Sequence, residues 1–338
     1  MVEIVGRKCH DTVVGKTQLK LAYDENTDFA TWKANVREKL TELLGLDVIA
    51  ENACEPNIII EEDLQFDGYR RIRFVFYSET DCPVPCYLGI PTGEEGKKYP
   101  LAISLHGHSS GFHNDYGIIK FDGDTGPEGR GTHAIQAIRN GFAVLSIEQR
   151  SRGERETKNT QTAGCDFQTK TAFMLGRTMI GERVWDVSRA IDIIDRFENI
   201  DTDRIMLFGD SGGGTATFYA GCIDERIDVV VPCYAFSPYK ASIMDMYHCI
   251  CNYIPTAYRY FEMQDLTCLI APRKFLAING ELDAIFPIGP AREAFETVKK
   301  IYAAAGAPED NCRLCTTPKG HYWMADMIWE YINDFTGW

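Results

Sequence analysis

The serine of Gly209-Asp210-Ser211-Gly212-Gly213 is the side chain best placed in this sequence to attack a carbonyl carbon. Residues 204–208 before it have strand length, and small residues follow at helical spacing: Gly214, Thr215, Ala216, Thr217 and Ala220. Strand, sharp turn and helix is the setting in which Gly-x-Ser-x-Gly makes a nucleophile elbow. Flanking glycines let the strand and helix approach without a Cβ between them, and the helix N-terminus offers free N–H groups to a developing oxyanion. A phosphate cradle would need a Lys after the glycines, and none is there.

A serine hydroxyl is a poor nucleophile until a base takes its proton and an acid orients that base. His321, in Pro318-Lys319-Gly320-His321-Tyr322, is the expected base. Asp283, in Gly280-Glu281-Leu282-Asp283-Ala284, is the expected acid, with Glu281 as its competitor. The order Ser, Asp, His places all three at the carboxyl ends of neighbouring parallel strands. Gly107-His108-Ser109-Ser110-Gly111 also satisfies Gly-x-Ser-x-Gly, but residues 112–117 make a poor helix start, so Ser109 is set aside. That stretch has another use: the backbone N–H of His108, with that of Gly212, is expected to form the oxyanion hole.

These residues need a scaffold. Residues 71–77 and 84–91 read as strands joined by an acidic turn, with prolines suited to strand ends or edges. Buried strands then alternate with helices: strand 99–105, helix 132–140, strand 142–147, helix 181–197, the elbow strand, strand 229–232, strand 274–279, helix 290–305, strand 313–317 and a last helix. Val184, Val187, Ile191 and Ile194 mark the buried face of helix 181–197. That alternation predicts an α/β fold with a mostly parallel sheet covered on both faces. Two stretches break the rhythm, a polar loop at 154–178 and a tyrosine-rich, helical cap-like insertion at 237–268. Residues 1–65 read as an N-terminal extension on a catalytic domain at 66–338. Asp28 or Thr31 caps a helix carrying Phe29, Trp32, Val36, Leu40, Leu43 and Leu44, which stops at Gly45 and packs on the domain or on a second subunit.

Bulk composition narrows the class. The 338 residues are 45% hydrophobic and 25% charged, with a formal charge of −14. That balance argues against nucleic acid and anionic membrane as partners. No stretch has the length of a signal peptide core or membrane span, so a cytoplasmic protein is expected. Its twelve cysteines are then free thiols rather than a disulfide framework. Cys312-x-x-Cys315 lies on a strand, where residues three apart face opposite ways; Cys82 and Cys86 flank prolines; His248, Cys249 and Cys251 form one weak cluster. All three groups are read as structural, with no metal and no cofactor.

The ordered pieces His106-Gly107-His108, Arg150-Ser151-Arg152-Gly153, helix 181–197, Gly209 to Gly213, Leu282-Asp283 with Pro287, and Gly320-His321 resemble the α/β-hydrolase superfamily. Within it, they resemble the acetyl xylan esterase and dienelactone hydrolase-like branch. The resemblance implies a central sheet of about eight strands and hydrolysis through an acyl-serine intermediate. Two departures weigh against xylan as the substrate: Arg-Ser-Arg-Gly stands where those esterases often carry Arg-Gly-Gln, and Gly212 stands where they often have Gln. A serine carboxylesterase of small acetylated sugars or similar soluble esters is expected, with Arg150, Arg152, His248 and Tyr253 as substrate contacts. A prolyl oligopeptidase-type peptidase, a lactone hydrolase and a non-catalytic binding module on the same fold are the competing readings. Oligomeric state stays open.

Overall fold

The computed structural model describes residues 4–93, 95–124, 126, 131–157 and 164–338. Short helix α1 (Lys8–Lys16) precedes α2 (Phe29–Leu44) and α3 (Leu46–Ala50). Asp28 is the cap of α2, its carboxylate accepting from the Thr31 N–H at 2.8 Å, and Gly45 ends the helix at φ 74°. Trp32, Val36, Leu40 and Leu44 line the buried face, as their spacing requires. They join the main hydrophobic core, and the Trp32 indole N–H donates to the Leu21 carbonyl at 3.0 Å.

Strands β1 (Ile58–Phe66), β2 (Tyr69–Glu79) and β3 (Cys82–Pro91) form an antiparallel meander. There follow β4 (Tyr99–Leu105), α4 (His133–Arg139), β5 (Ala143–Ile147), α5 (Cys165–Met174) and α6 (Met179–Ile191). Then come β6 (Ile200–Asp210), α7 (Gly212–Ile223), β7 (Val229–Cys233), β8 (Lys274–Gly280), α8 (Ile288–Ala304), β9 (Cys312–Thr317) and α9 (Ala325–Thr336). All nine strands join one sheet in the order β1-β2-β3-β5-β4-β6-β7-β8-β9. From β5 to β9 the pairing is parallel. The central strands β4, β5 and β7 are buried along their whole length, which is why they read as unbroken apolar runs.

Among the described residues the sheet has nine strands, close to the expected number of about eight. The one not foreseen is β1, an exposed edge strand in residues assigned to the N-terminal extension; its side chains alternate too little to mark it. The polar loop at 154–178 contains α5, and its residues 158–163 lie outside the described residues. The insertion at 237–268 is built of short 3-10 turns, with no α-helix in it.

The strand order reverses around β4, which has β5 on one side and β6 on the other. A crevice opens at such a switch point beyond the carboxyl ends of the strands. It is bounded here by the loop after β4 and the turn after β6, which carry His108 and Ser211. Truncating Trp32→Ala should cost about 3–5 kcal/mol of stability. Denaturant unfolding would register this as an earlier midpoint, with kcat per folded molecule unchanged, because α2 is core and not site.

Candidate active site

Ser211 sits between β6 and α7 at φ 54°, ψ −120°, a conformation that L-residues rarely adopt. The turn is tied down from its neighbour, as the Ser211 N–H donates to the Cys233 carbonyl at 2.9 Å. A Cβ on Gly213 would lie 1.9 Å from the Leu105 carbonyl oxygen, and one on Gly212 would lie 2.5 Å from the His108 ring. Only glycine allows α7 to start this close to the end of β4. Asp210 fixes the facing loop, its carboxylate accepting the Gly107 N–H at 3.0 Å. Gly212 and His108 thus line one cleft with Ser211, the arrangement expected for oxyanion donors.

His321 follows β9, and its Nδ1 is 2.8 Å from Asp283 Oδ2. The other oxygen of Asp283 accepts from the Ile285 and Phe286 N–H groups at 2.9 and 3.1 Å, so the buried carboxylate is locked by its own turn. Glu281 is engaged elsewhere, in an ion pair with Arg292. The imidazole lies between two aromatic rings that the sequence did not single out. Tyr234 meets it edge-on with centroids 5.7 Å apart, and Phe286 stacks on it at 6.0 Å. Tyr234 is held by a 3.1 Å hydrogen bond to Thr317.

Ser211 and His321 open into a cleft of about 810 Å³. Ser109, Ser110, Asn114, Asp124, Asn252 and Tyr247 contribute to its walls. Ser109 is in this cleft but has no elbow beneath it; its hydroxyl lies 3.3 Å from His106 Nδ1. Below the loop, His106 Nε2 is 2.9 Å from Glu148. Burial alone would pull the His106 pKa down, but the Glu148 carboxylate outweighs it and the net direction is up.

The four expected substrate contacts separate. His248 lines the cleft; its Nε2 is 3.1 Å from Ser242 Oγ, its ring meets Phe286 edge-on at 5.1 Å, and burial lowers its pKa. Tyr253 faces a different cavity, of about 240 Å³, behind the insertion. Arg152 is half-buried beside Gly164 and does not line the cleft.

Arg150 is a correction. It is buried beneath a separate cleft of about 500 Å³, with its Nε and one Nη 3.0 and 2.8 Å from Asp186. It also pairs with Glu79 and, at 3.4 Å, with Glu182. Arg155 and Arg177 complete this network, each 2.7 Å from one of the same carboxylates. Its donors are consumed inside the protein, so Arg150 braces the loop after β5 instead of reading a substrate. The partners lie on β2 and α6, a pairing that only the folded sheet creates.

The cysteines also regroup. His248 does not join Cys249 and Cys251; His108 and Cys165 do, and the four donor atoms all lie within 4.8 Å of one another. No spacing motif connects positions 108, 165, 249 and 251, so the sequence carried no signal for this set. Cys312 and Cys315 stay apart, one buried and one half-buried on β9, and all twelve thiols are free.

Two substitutions separate the roles. Asp283→Asn should lower kcat roughly 10²–10⁴-fold by freeing the imidazole to take the wrong tautomer; Glu281→Gln should leave steady-state kinetics unchanged. Arg150→Ala removes the arginine shared by Asp186, Glu79 and Glu182, leaving Arg155 and Arg177 to pair with them, and should cost about 3 kcal/mol. Calorimetry should detect that loss while KM stays at the wild-type value.

Comparison with known proteins places the fold. A model of the Abhydrolase family matches residues 10–322. "Putative hydrolase YtaP" of Bacillus subtilis (strain 168) is 24% identical over 319 residues, 90% of this chain and 99% of its own. The 4-O-methyl-glucuronoyl methylesterase of Hypocrea jecorina (strain QM6a) is 24% identical over 228 residues, 59% of this chain and 47% of its own. Among solved structures, a "putative acetyl xylan esterase" from Bacteroides fragilis NCTC 9343 superposes with TM-score 0.79 at 17% identity, covering 98% of this chain and 95% of its own. A glucuronoyl esterase from Solibacter usitatus gives TM-score 0.70 at 14% identity, over 96% of this chain and 99% of its own. With the elbow, the switch-point cleft and a family match across most of its length, the chain belongs to the Abhydrolase family and has the α/β-hydrolase fold.

Proposed function

We propose that this α/β hydrolase cleaves carboxylic esters through an acyl-serine at Ser211. The observation that carries the reading is the 2.8 Å contact between His321 and a buried, doubly anchored Asp283, in the cleft that holds the strained Ser211. In the forward step His321 removes the Ser211 proton as the hydroxyl oxygen attacks the ester carbonyl. Asp283 holds the imidazole in the tautomer that presents Nε2 as base and stabilises the imidazolium that forms. The N–H groups of Gly212 and His108 receive the oxyanion, each donor of this kind contributing about 2.7–4 kcal/mol to the transition state. His321 then protonates the departing alcohol, and the same groups guide water onto the acyl-enzyme.

The substrate class proposed is a small acylated sugar or similar soluble ester. Relatives and structural neighbours named as acetyl xylan, glucuronoyl and methyl esterases support it. So does a cleft of sugar size walled by hydroxyl and amide side chains. Its described lining includes Asp115, Asp122, Asp124 and Asp210 but no Lys or Arg, which favours a neutral substrate over one bearing a free carboxylate. A cytoplasmic setting is part of the proposal, supported by twelve unpaired thiols.

Purified wild type and Ser211→Ala, assayed on p-nitrophenyl acetate, longer acyl esters and aminoacyl-p-nitroanilides, test this. Short esters should be turned over by wild type, and Ser211→Ala should lose roughly 10⁴-fold or more in kcat. Ester cleavage surviving in the variant would overturn the mechanism. Anilide cleavage would move the protein to the peptidases, and inert wild type to the binding modules.

A further inference from the structure

Three segments far apart in sequence meet beside the cleft, where His108 and Cys249 reach its wall. The loop after β4 brings His108, the first turn of α5 brings Cys165, and a 3-10 turn in the insertion brings Cys249 and Cys251. His108 Nε2 is 3.1 Å from Cys251 Sγ, and the Cys249 and Cys251 sulfurs are 3.3 Å apart. A disulfide would need about 2.05 Å. Three sulfurs and one imidazole nitrogen are the ligand set of closed, tetrahedral zinc sites, with Zn–S near 2.3 Å and Zn–N near 2.0–2.1 Å. Those bond lengths place ligand atoms about 3.6–3.8 Å apart, so the pairs at 3.1 and 3.3 Å would open by a few tenths of an ångström and any pair as wide as 4.8 Å would close by about 1 Å to enclose an ion.

A second, independent observation comes from charge. Arg183 of α6 is 4% exposed, and its guanidinium points at this cluster. One Nη is 3.5 Å from Cys251 Sγ; the other is 3.6 Å from Cys165 Sγ and 3.1 Å from the Arg150 carbonyl oxygen. Among the described residues its contacts are to sulfurs, the Arg150 carbonyl and the Ser151 hydroxyl, with no carboxylate among them. An unpaired buried cation is costly, and three neutral thiols would leave it so. Zinc with three thiolates and a neutral imidazole carries a net charge of −1, which matches the guanidinium. On binding, the thiol protons leave to solvent and the sulfurs become the acceptors that Arg183 faces.

We propose that His108, Cys165, Cys249 and Cys251 bind one zinc ion, which clamps the loop after β4 to α5 and the insertion. With four protein ligands the site is closed, so the ion is structural and not a Lewis acid for the reaction. This replaces the expectation of no metal. Its consequence for catalysis rests on the oxyanion reading above: the residue whose side chain is a ligand is the one whose backbone N–H faces Ser211. The ion therefore positions a donor and two substrate loops that the sheet does not reach.

Elemental analysis of full-length protein, purified without chelator from zinc-supplemented cells, should find one zinc per chain. Cys165→Ser and Cys251→Ser should lose it, and Cys249→His should keep it. Cobalt exchanged into wild type should show thiolate-to-metal charge transfer and the visible bands of a tetrahedral ion. Stripping the zinc with a chelator should lower both kcat and the unfolding temperature, and zinc added back should restore them. Wild type that holds no zinc, takes up no cobalt and keeps twelve titratable thiols would overturn the site, as would a disulfide among these cysteines in mass spectra. Full kcat in the stripped protein would overturn the positioning role. Metal content is read without substrate, so an inactive wild type that carries zinc would sink the esterase reading and leave the metal site standing.

Discussion

The approach of the β6–α7 turn to the end of β4 is the contact on which the site depends. Ser211 holds a positive φ, and Gly213 lies so near the end of β4 that a Cβ there would fall 1.9 Å from the Leu105 carbonyl oxygen. A strained residue of this kind persists only when its surroundings over-determine it. Here those surroundings are the Ser211–Cys233 backbone bond, the Asp210–Gly107 bond and the burial of the first turns of α7. Because the loop after β4 is bonded to the turn after β6, the nucleophile and the expected oxyanion donors move as one unit.

Around that contact, buried polar groups from strand ends, helices and turns brace the loops. Asp283 is fixed by two N–H groups of its own turn, Glu148 holds His106, and Asp186, Glu79 and Glu182 hold Arg150. Each pairing places a charged group where an unpaired one would be costly, and each rigidifies a segment at the carboxyl ends of the strands. His321 is positioned both by Asp283 and by packing against Tyr234 and Phe286. The cluster of His108, Cys165, Cys249 and Cys251 belongs to the same design, joining segments that have no hydrogen-bonded ladder between them.

Much of this was legible beforehand. The parallel strands were readable because burial on both faces demands unbroken apolar runs, and α2 and α6 because a helix on a sheet needs one apolar stripe. Edge strand β1 was not, since an exposed strand is under no such constraint. The 237–268 insertion misled because aromatic clustering marks a packed region without specifying its backbone, which is a chain of 3-10 turns.

At the site, the sequence by itself singled out Ser211, Asp283 and His321 as candidates, since each lies in a local pattern of strand end and turn whose steric demands restrict the residue types allowed. The destinations of Arg150, Tyr253 and the cysteines were decided only by the tertiary structure. Arg150 reaches carboxylates on β2 and α6, and Cys165 reaches Cys249, Cys251 and His108 across three loops. Such contacts follow from which strand ends become neighbours when the sheet order reverses at β4. Long-range proximity of that kind leaves no periodicity or spacing in the chain, so it appears only once the sheet is assembled.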